Sequence, residues 1–243
     1  MANEARAPET VPKVGGRRHT NRDFEGELRE LNEALLAMAG RVEQMIGQAT
    51  RALLARDAEL GAEIRETDRL VNDAEKQIDS MCLKILARRQ PMGSDLRLLT
   101  RVLKMVTDIE RIGDLAVKIG REAVKIAKAD RADFGVHPAL ERMAELVQAM
   151  LADALDAFVD RDAKRAWSVI ERDDEVDELE EQVCREVLEQ IQARPEGLRV
   201  GLGVQEATKF LERMGDHATN LAEQVVFLVH AEDIRHPVFT SGS

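Results

Sequence analysis

Glu110-Arg111-Ile112-Gly113-Asp114 returns, about a hundred residues on, as Glu212-Arg213-Met214-Gly215-Asp216. Each copy sets two carboxylates four residues apart, one turn along the same helix face. Like charges at that spacing weaken an isolated helix by roughly 0.2–0.5 kcal/mol, and a mid-helix glycine costs about 1 kcal/mol relative to alanine. A chain that carries both penalties twice is expected to supply a cation for the carboxylates and a close neighbour for the glycines. The repeat extends outward. Asp68, Asn72 and Glu75 recur as Asp173, Asp177 and Glu180, each 105 residues later, whereas Glu110 and Asp114 recur 102 residues later. The second half is therefore a copy of the first with a slightly tighter hairpin around Pro195.

Between the repeated motifs the apolar residues step by three or four. Phe24, Leu28, Leu31, Leu35, Met38, Val42, Met45, Ala49 and Leu53 make one stripe along a first helix. A second helix is expected over about 58–89, stopped by Pro91-Met92-Gly93. A third runs to about Lys128, with Ser94 or Asp95 as its N-cap. Gly135, His137 and Pro138 interrupt the pattern. Leu140, Met143, Val147, Met150, Ala154 and Phe158 then repeat the first stripe. A fifth helix is expected over 163–193, ending before Pro195 and Gly197, and a sixth over about 199–230. Short connections make consecutive helices antiparallel. The expected fold is all-α: six long helices in two tandem, pseudo-symmetric three-helix bundles, residues 23–130 and 137–231. Residues 1–22, with Arg6, Lys13, Arg17, Arg18 and Arg22, read as a disordered basic tail, and 232–243 as a loose C-terminal tail.

Composition narrows the function. There is no Tyr, one Trp and six Phe among 243 residues, which argues against an all-β core. A net charge of −11 disfavours nucleic acid as the main ligand and favours cations and basic protein surfaces. The apolar run Val225–Val229 is far too short to cross a membrane, and no signal-peptide core follows Met1, so a cytoplasmic location is expected. Cys82 and Cys184 fall at non-equivalent points of the repeat and read as two reduced core thiols.

The acids meet at matched heights. Glu75 lies 14 residues before Arg89, and Glu110 lies 15 residues after Asp95, legs of about 21 and 22 Å at 1.5 Å per residue. In the second half both legs are 13 residues, Glu180 to Ala193 and Arg199 to Glu212. All these candidate ligands are oxygen donors, which suits Fe³⁺, Mn²⁺, Mg²⁺ or Ca²⁺ better than Zn²⁺ or Cu²⁺. His217 would add a nitrogen in the second half, or make an ordinary surface hydrogen bond. Asn72 leaves the first set less charged. Against a metal stands the abundance of acids: 46 Asp and Glu produce many i,i+4 pairs that are only solvated, and Arg111 and Arg213 could neutralise these. Gly113 and Gly215 read as packing positions. The start of the third helix, with Arg97 nearby, could receive an anion, though capping alone accounts for these residues. Catalytic patterns are scarce. No Ser-His-Asp, P-loop or GxGxxG arrangement occurs. The acid three residues before a histidine that a di-iron oxidase needs is found only at Asp233–His236, in the tail.

The string Gln90-Pro91-Met92-Gly93-Ser94-Asp95-Leu96-Arg97, the two Glu-Arg-x-Gly-Asp motifs and the continuation His217-Ala218-Thr219-Asn220 resemble the PhoU family over about residues 24–230. The basic leader and Asn72 depart from that family's pattern. The resemblance implies two three-helix bundles whose surface carboxylates hold metal ions at Glu110, Asp114, Glu212 and Asp216, with Asp68, Asp173 and Asp177 as partners. Iron is the metal implied, with manganese, magnesium or zinc as alternatives. It further implies a non-enzymatic negative regulator of phosphate uptake and phosphate-starvation signalling. Such a protein is an adaptor, as a homodimer, between the ATPase subunit of a phosphate-specific ABC transporter and a phosphate-responsive sensor histidine kinase. The alternative expectation is a carboxylate-metal-dependent hydrolase or oxidase on the same bundle.

Overall fold

The structure, a computed structural model, describes residues 17–129, 135 and 138–231. Its elements are α1 (Arg17–Ala55), α2 (Ala58–Arg89), α3 (Ser94–Ala127), α4 (Pro138–Asp160), α5 (Ala163–Ile170), α6 (Asp173–Ala193), a single 3₁₀ turn (Pro195–Gly197) and α7 (Leu198–His230). Helix α1 thus begins inside the stretch expected as a tail. The rest of that leader, His137 and the C-terminal tail from residue 232 lie outside the described residues.

The duplication reaches the level of single hydrogen bonds. Asp57 caps α2, its carboxylate accepting from the Glu59 and Leu60 amides at 3.0 Å each. Asp162, at the equivalent position, caps α5 by accepting from the Lys164 and Arg165 amides at 2.9 and 3.1 Å. Before each cap an arginine takes the left-handed conformation that ends the preceding helix, Arg56 at φ 55° and Arg161 at φ 52°. Helix α2 ends in the same way at Gln90, φ 47°, immediately before Pro91. The start of α3 differs from expectation. Neither Ser94 nor Asp95 caps it; the cap position is Gly93, at φ 59° and ψ −121°, with no side-chain cap. A glycine tolerates that backbone, so the chain enters the helix one residue earlier and Arg97 N–H bonds the Gly93 carbonyl at 3.1 Å.

Helices α1, α2 and α3 form one bundle, and α4, α5, α6 and α7 the other. The apolar stripes of α1 and α4 are buried along their length, Leu31 to Leu53 and Leu140 to Phe158. Each large aliphatic side chain so buried contributes about 1.5–3 kcal/mol. The bundles join along α3 and α7, with α1 against α4 beside them. In this seam the Arg101 guanidinium stacks 3.5 Å from the Phe227 ring centroid and donates to Gln224 Oε1 at 2.9 Å. Asp108 and His217 Nδ1 lie 2.9 Å apart across the same seam. Among the described residues, no helix is long and apolar enough to cross a membrane.

The expected fifth helix is broken at Glu171–Arg172. Two arginines around the break are held by α4. Asp153 accepts from Arg165 Nε and an Arg165 terminal nitrogen at 3.1 and 2.8 Å, and from Arg172 at 2.5 Å. Arg172 Nε also donates to the Ser168 carbonyl at 3.2 Å. The Arg172 amide reaches back only to Val169, a tighter turn than α. The equivalent stretch of α2 is continuous. The two cysteines are free: Cys82 is buried, its thiol pushed up to about 12 by burial, but Cys184 is only half-buried and so is not the core thiol expected.

Candidate functional site

The first acidic set lies where α2 faces α3. Asp68 and Glu75 come from α2, Glu110 and Asp114 from α3, and all four are half-buried. Burial raises the Asp68 carboxyl above its ordinary value and the Asp114 charge raises it further; Arg121, Arg65 and a hydrogen bond from Asn72 oppose this. Glu110 is raised by burial, then by Asp114, Glu75 and Asp68. Glu75 is raised by burial and by Asp79, one turn further along α2. Asn72 donates to Asp68 at 3.4 Å. Arg111 spans the motif, 3.7 Å from Glu110 and 3.7 Å from Asp114, but its side chain is 59% exposed, so these pairs are weak.

The second set, on α6 and α7, is built alike and carries one more carboxylate. Asp173, Glu180 and Glu212 are half-buried, Asp177 and Asp216 exposed. Burial and then Asp216 raise Asp173, whose Oδ1 accepts a hydrogen bond from Thr219 at 3.2 Å. Glu212 is raised by burial, Asp216, Glu180 and Asp177. Asp216 is raised by burial and Asp177 against the lowering effect of His217. The helix break sets Asp173 in the first turn of α6, where the helix dipole favours an anion.

All seven residues singled out in the sequence thus gather into two groups: Asp68, Glu110 and Asp114 in one, Asp173, Asp177, Glu212 and Asp216 in the other. Each group brings acids from two helices close enough to repel one another. As the side chains stand, no three His, Cys, Asp or Glu groups among the described residues converge on a metal position. The donor set, oxygen throughout, fits a hard cation. His217 directs its Nδ1 to Asp108, 2.9 Å away, and lies close enough to Asp216 to lower that carboxyl. Sequence reasoning missed Asp79 and the role of Thr219. The first stands one turn from Glu75 on the same face and was open to the i,i+4 rule. The second depends on how α7 faces α6.

Both motif glycines are buried, Gly113 with room around it and Gly215 held more closely. A Cβ on Gly113 would meet Val42 at 3.5 Å and Val71 at 3.6 Å, ordinary contacts, and one on Gly215 would meet Val176 at 3.3 Å. Among the glycines described, the tightest surroundings are at Gly61 and Gly120, where either Cβ would come 2.7 Å from the other glycine's carbonyl oxygen.

The family model described as the PhoU domain matches twice, at residues 35–123 and 140–225, once in each bundle. A relative in Pseudomonas putida, named a phosphate-specific transport system accessory protein PhoU homolog, is 40% identical over 218 residues, covering 90% of this chain and 85% of its own. A relative of the same name in Deinococcus radiodurans is 37% identical, covering 85% and 96%. The relatives are named as accessory proteins, not as enzymes. The crystal structure of PhoU from Pseudomonas aeruginosa superimposes with a TM-score of 0.80 at 39% identity, covering 86% of this chain and 100% of that one. That of the phosphate transport system regulatory protein PhoU from Streptococcus pneumoniae gives 0.79 at 27% identity, over 87% and 99%. With both repeats matched and 86% of the chain superimposed on a PhoU structure at 39% identity, the chain belongs to the PhoU family.

Proposed function

We propose that this protein is a cytoplasmic accessory protein of phosphate-specific transport that restrains uptake and phosphate-starvation signalling by docking rather than by catalysis. Its partners would be the ATPase subunit of a phosphate ABC transporter and a sensor histidine kinase, and it would act as a homodimer. The observation that carries the reading is the pair of carboxylate groups, repeated at equal height on two hairpins and left in mutual repulsion. Such groups either meet a cation or meet a basic surface. Exposed leucines stand at equivalent points near both hairpin turns, Leu83 with Leu188 and Leu96 with Leu198, and supply apolar area for a docking face.

The cation in this proposal is a metal, iron foremost, with manganese, magnesium or zinc as alternatives. It would be held by Asp68, Glu110 and Asp114 in the first half and by Asp173, Asp177, Glu212 and Asp216 in the second. A bound metal would supply positive charge and open coordination positions for an anion. The chain's own residues supply the oxygen donors, the Thr219 and Asn72 bonds that orient two of them, and the buried valines beneath.

Elemental analysis of protein purified without chelator, beside Glu110→Ala/Glu212→Ala, tests the metal. Metal in the wild type and little in the double variant is expected. Equal content in both, or none in either after loading with iron or manganese, removes it. The docking reading is tested separately, by co-purification with the transporter ATPase. Loss of capture on reversing the exposed acids Asp177 and Asp216 to lysine is expected; unchanged capture refutes an acidic docking face.

A further inference from the structure

The string Gln90–Arg97 forms the turn from α2 into α3 and contributes to neither carboxylate group. Capping does not account for it, since no side chain caps α3. The turn is fixed on both sides: Gln90 is left-handed with its N–H on the Leu86 carbonyl at 3.3 Å, and Gly93 stands at φ 59°. Held this way, it presents Met92 at 83% exposure, more than any other large apolar side chain described. The flanking helices expose Leu83, less than two turns before the end of α2, and Leu96, in the first turn of α3. Methionine is the apolar side chain that adapts best to a foreign surface.

The duplication supplies a control. The last ten residues of α2, the turn and the first ten of α3, residues 80–103, carry five basic residues and a single acid, Asp95. The matching stretch of the second half, residues 184–207, carries three basic residues and four acids. The two turns also point opposite ways. Leu98 of α3 lines a crevice with Leu228 of α7, whereas Glu122 of α3 lines another with Leu198 of α7. Helices α3 and α7 are therefore antiparallel, and their 34 and 33 residues put about 50 Å between the two turns.

Charge decides what such a turn meets. Arg89 is held by Glu27 through two hydrogen bonds of 2.9 Å, and Arg101 stacks on Phe227 in the seam. Lys84 and Arg88 remain exposed and share a groove of about 220 Å³ with Glu30. An anionic bilayer binds blocks of roughly four to eight basic residues. Here the outward cations are fewer and the acids Glu30 and Asp95 stand among them, a pattern that only a protein surface can match charge by charge. We propose that the α2–α3 turn is a docking surface for an acidic protein face with an apolar recess that receives Met92. The proposal rests on the docking reading above and divides it between two surfaces. The exposed acids Asp177 and Asp216, in the other bundle, meet a basic surface of the transporter ATPase. The basic turn meets the sensor kinase, so the two partners do not compete.

Titration of the full chain with the purified cytoplasmic portion of the sensor kinase, and separately with the purified transporter ATPase, tests the assignment. Met92→Asp and Lys84→Glu/Arg88→Glu change exposed side chains only. Each should weaken kinase binding at least about tenfold and leave ATPase binding within about twofold. Leu198→Asp, at the opposite end, should leave kinase binding within about twofold. Kinase binding that survives both turn variants overturns this proposal and leaves the docking reading standing; so does an equal loss with Leu198→Asp, or a loss of ATPase binding in the turn variants. Wild-type protein that binds neither partner removes the docking reading, and this proposal with it. Vesicles of phosphatidylglycerol and phosphatidylcholine are the remaining probe: binding to them that Met92→Asp abolishes would put a lipid surface in place of the protein and overturn the proposal.

Discussion

Gly113 and Gly120 occupy the same helix seven residues apart, yet alanine at the two should have opposite effects. At Gly120 the new Cβ would lie 2.7 Å from the Gly61 carbonyl oxygen and 2.8 Å from Ile64 Cδ1. A carbon–oxygen contact settles at about 3.3–3.6 Å, so α2 and α3 would have to part by roughly 0.6–0.9 Å. Overpacking of this kind costs about 1–3 kcal/mol. The gain in helix propensity returns about 1 kcal/mol, leaving a net loss of about 0–2 kcal/mol. At Gly113 the nearest atoms would be 3.5 Å away, so only the propensity gain of about 1 kcal/mol remains. The two variants should therefore differ by about 1–3 kcal/mol. At roughly 2–4 °C per kcal/mol for a chain of this size, that is about 2–12 °C in Tm. Guanidinium unfolding of both variants, with m unchanged, measures it. If Gly120→Ala is as stable as Gly113→Ala, the helix contact at Gly61 is not the tight one described.

Six carboxyls, Asp68, Glu75, Glu110, Asp173, Glu212 and Asp216, are held above their ordinary range, so between that range and their raised values the folded metal-free protein binds more protons than the unfolded chain. Its stability should rise as pH falls from neutral through that window. It should fall again only lower, where Glu27 and Asp153, held down by their arginines, become protonated. A Tm of chelated protein that declines steadily from pH 7.5 to 5 contradicts this. Glu110→Gln/Glu212→Gln should raise Tm at pH 7.5 and flatten the pH dependence, as circular dichroism melts would record. Asp153→Ala removes the acceptor shared by Arg165 and Arg172 and should cost about 1–3 kcal/mol. Amides near Glu171–Val176 should then exchange faster, and unchanged exchange there would show that the helix break stands without the arginines.

The duplicated architecture was legible because it lies in spacing alone: equal offsets for the α2 acids and for the α3 motif, and apolar stripes that repeat. The membership of both acidic groups was legible for the same reason, since equal legs on either side of a turn fix equal heights. What escaped was set by tertiary partners. Ala166, Val169, Val176, Leu179 and Val183 keep helical phase straight through the break at Glu171–Arg172, so periodicity carries no sign of it; the arginines beside it are held by Asp153, on another helix. Gly61 and Gly120 lie in separate helices, and only their juxtaposition gives them meaning. The hydrogen bond expected of His217 as one of two readings is present, but its partner Asp108 lies more than a hundred residues earlier and could not be read from spacing.

The seam has a further consequence. Helices α3 and α7 are each gripped on two sides, by their own bundle and by one another, whereas α2 packs against α1 and α3, and α6 mainly against α4 and α7. Every carboxylate group therefore straddles a boundary between an inner rail and an outer helix that belongs to one bundle only. Sub-global opening should begin with the outer helices, the elements with less surface to lose. A cation shared across that boundary would act as a clasp: it would add nothing to the rails, and would decide how long the outer helices stay shut.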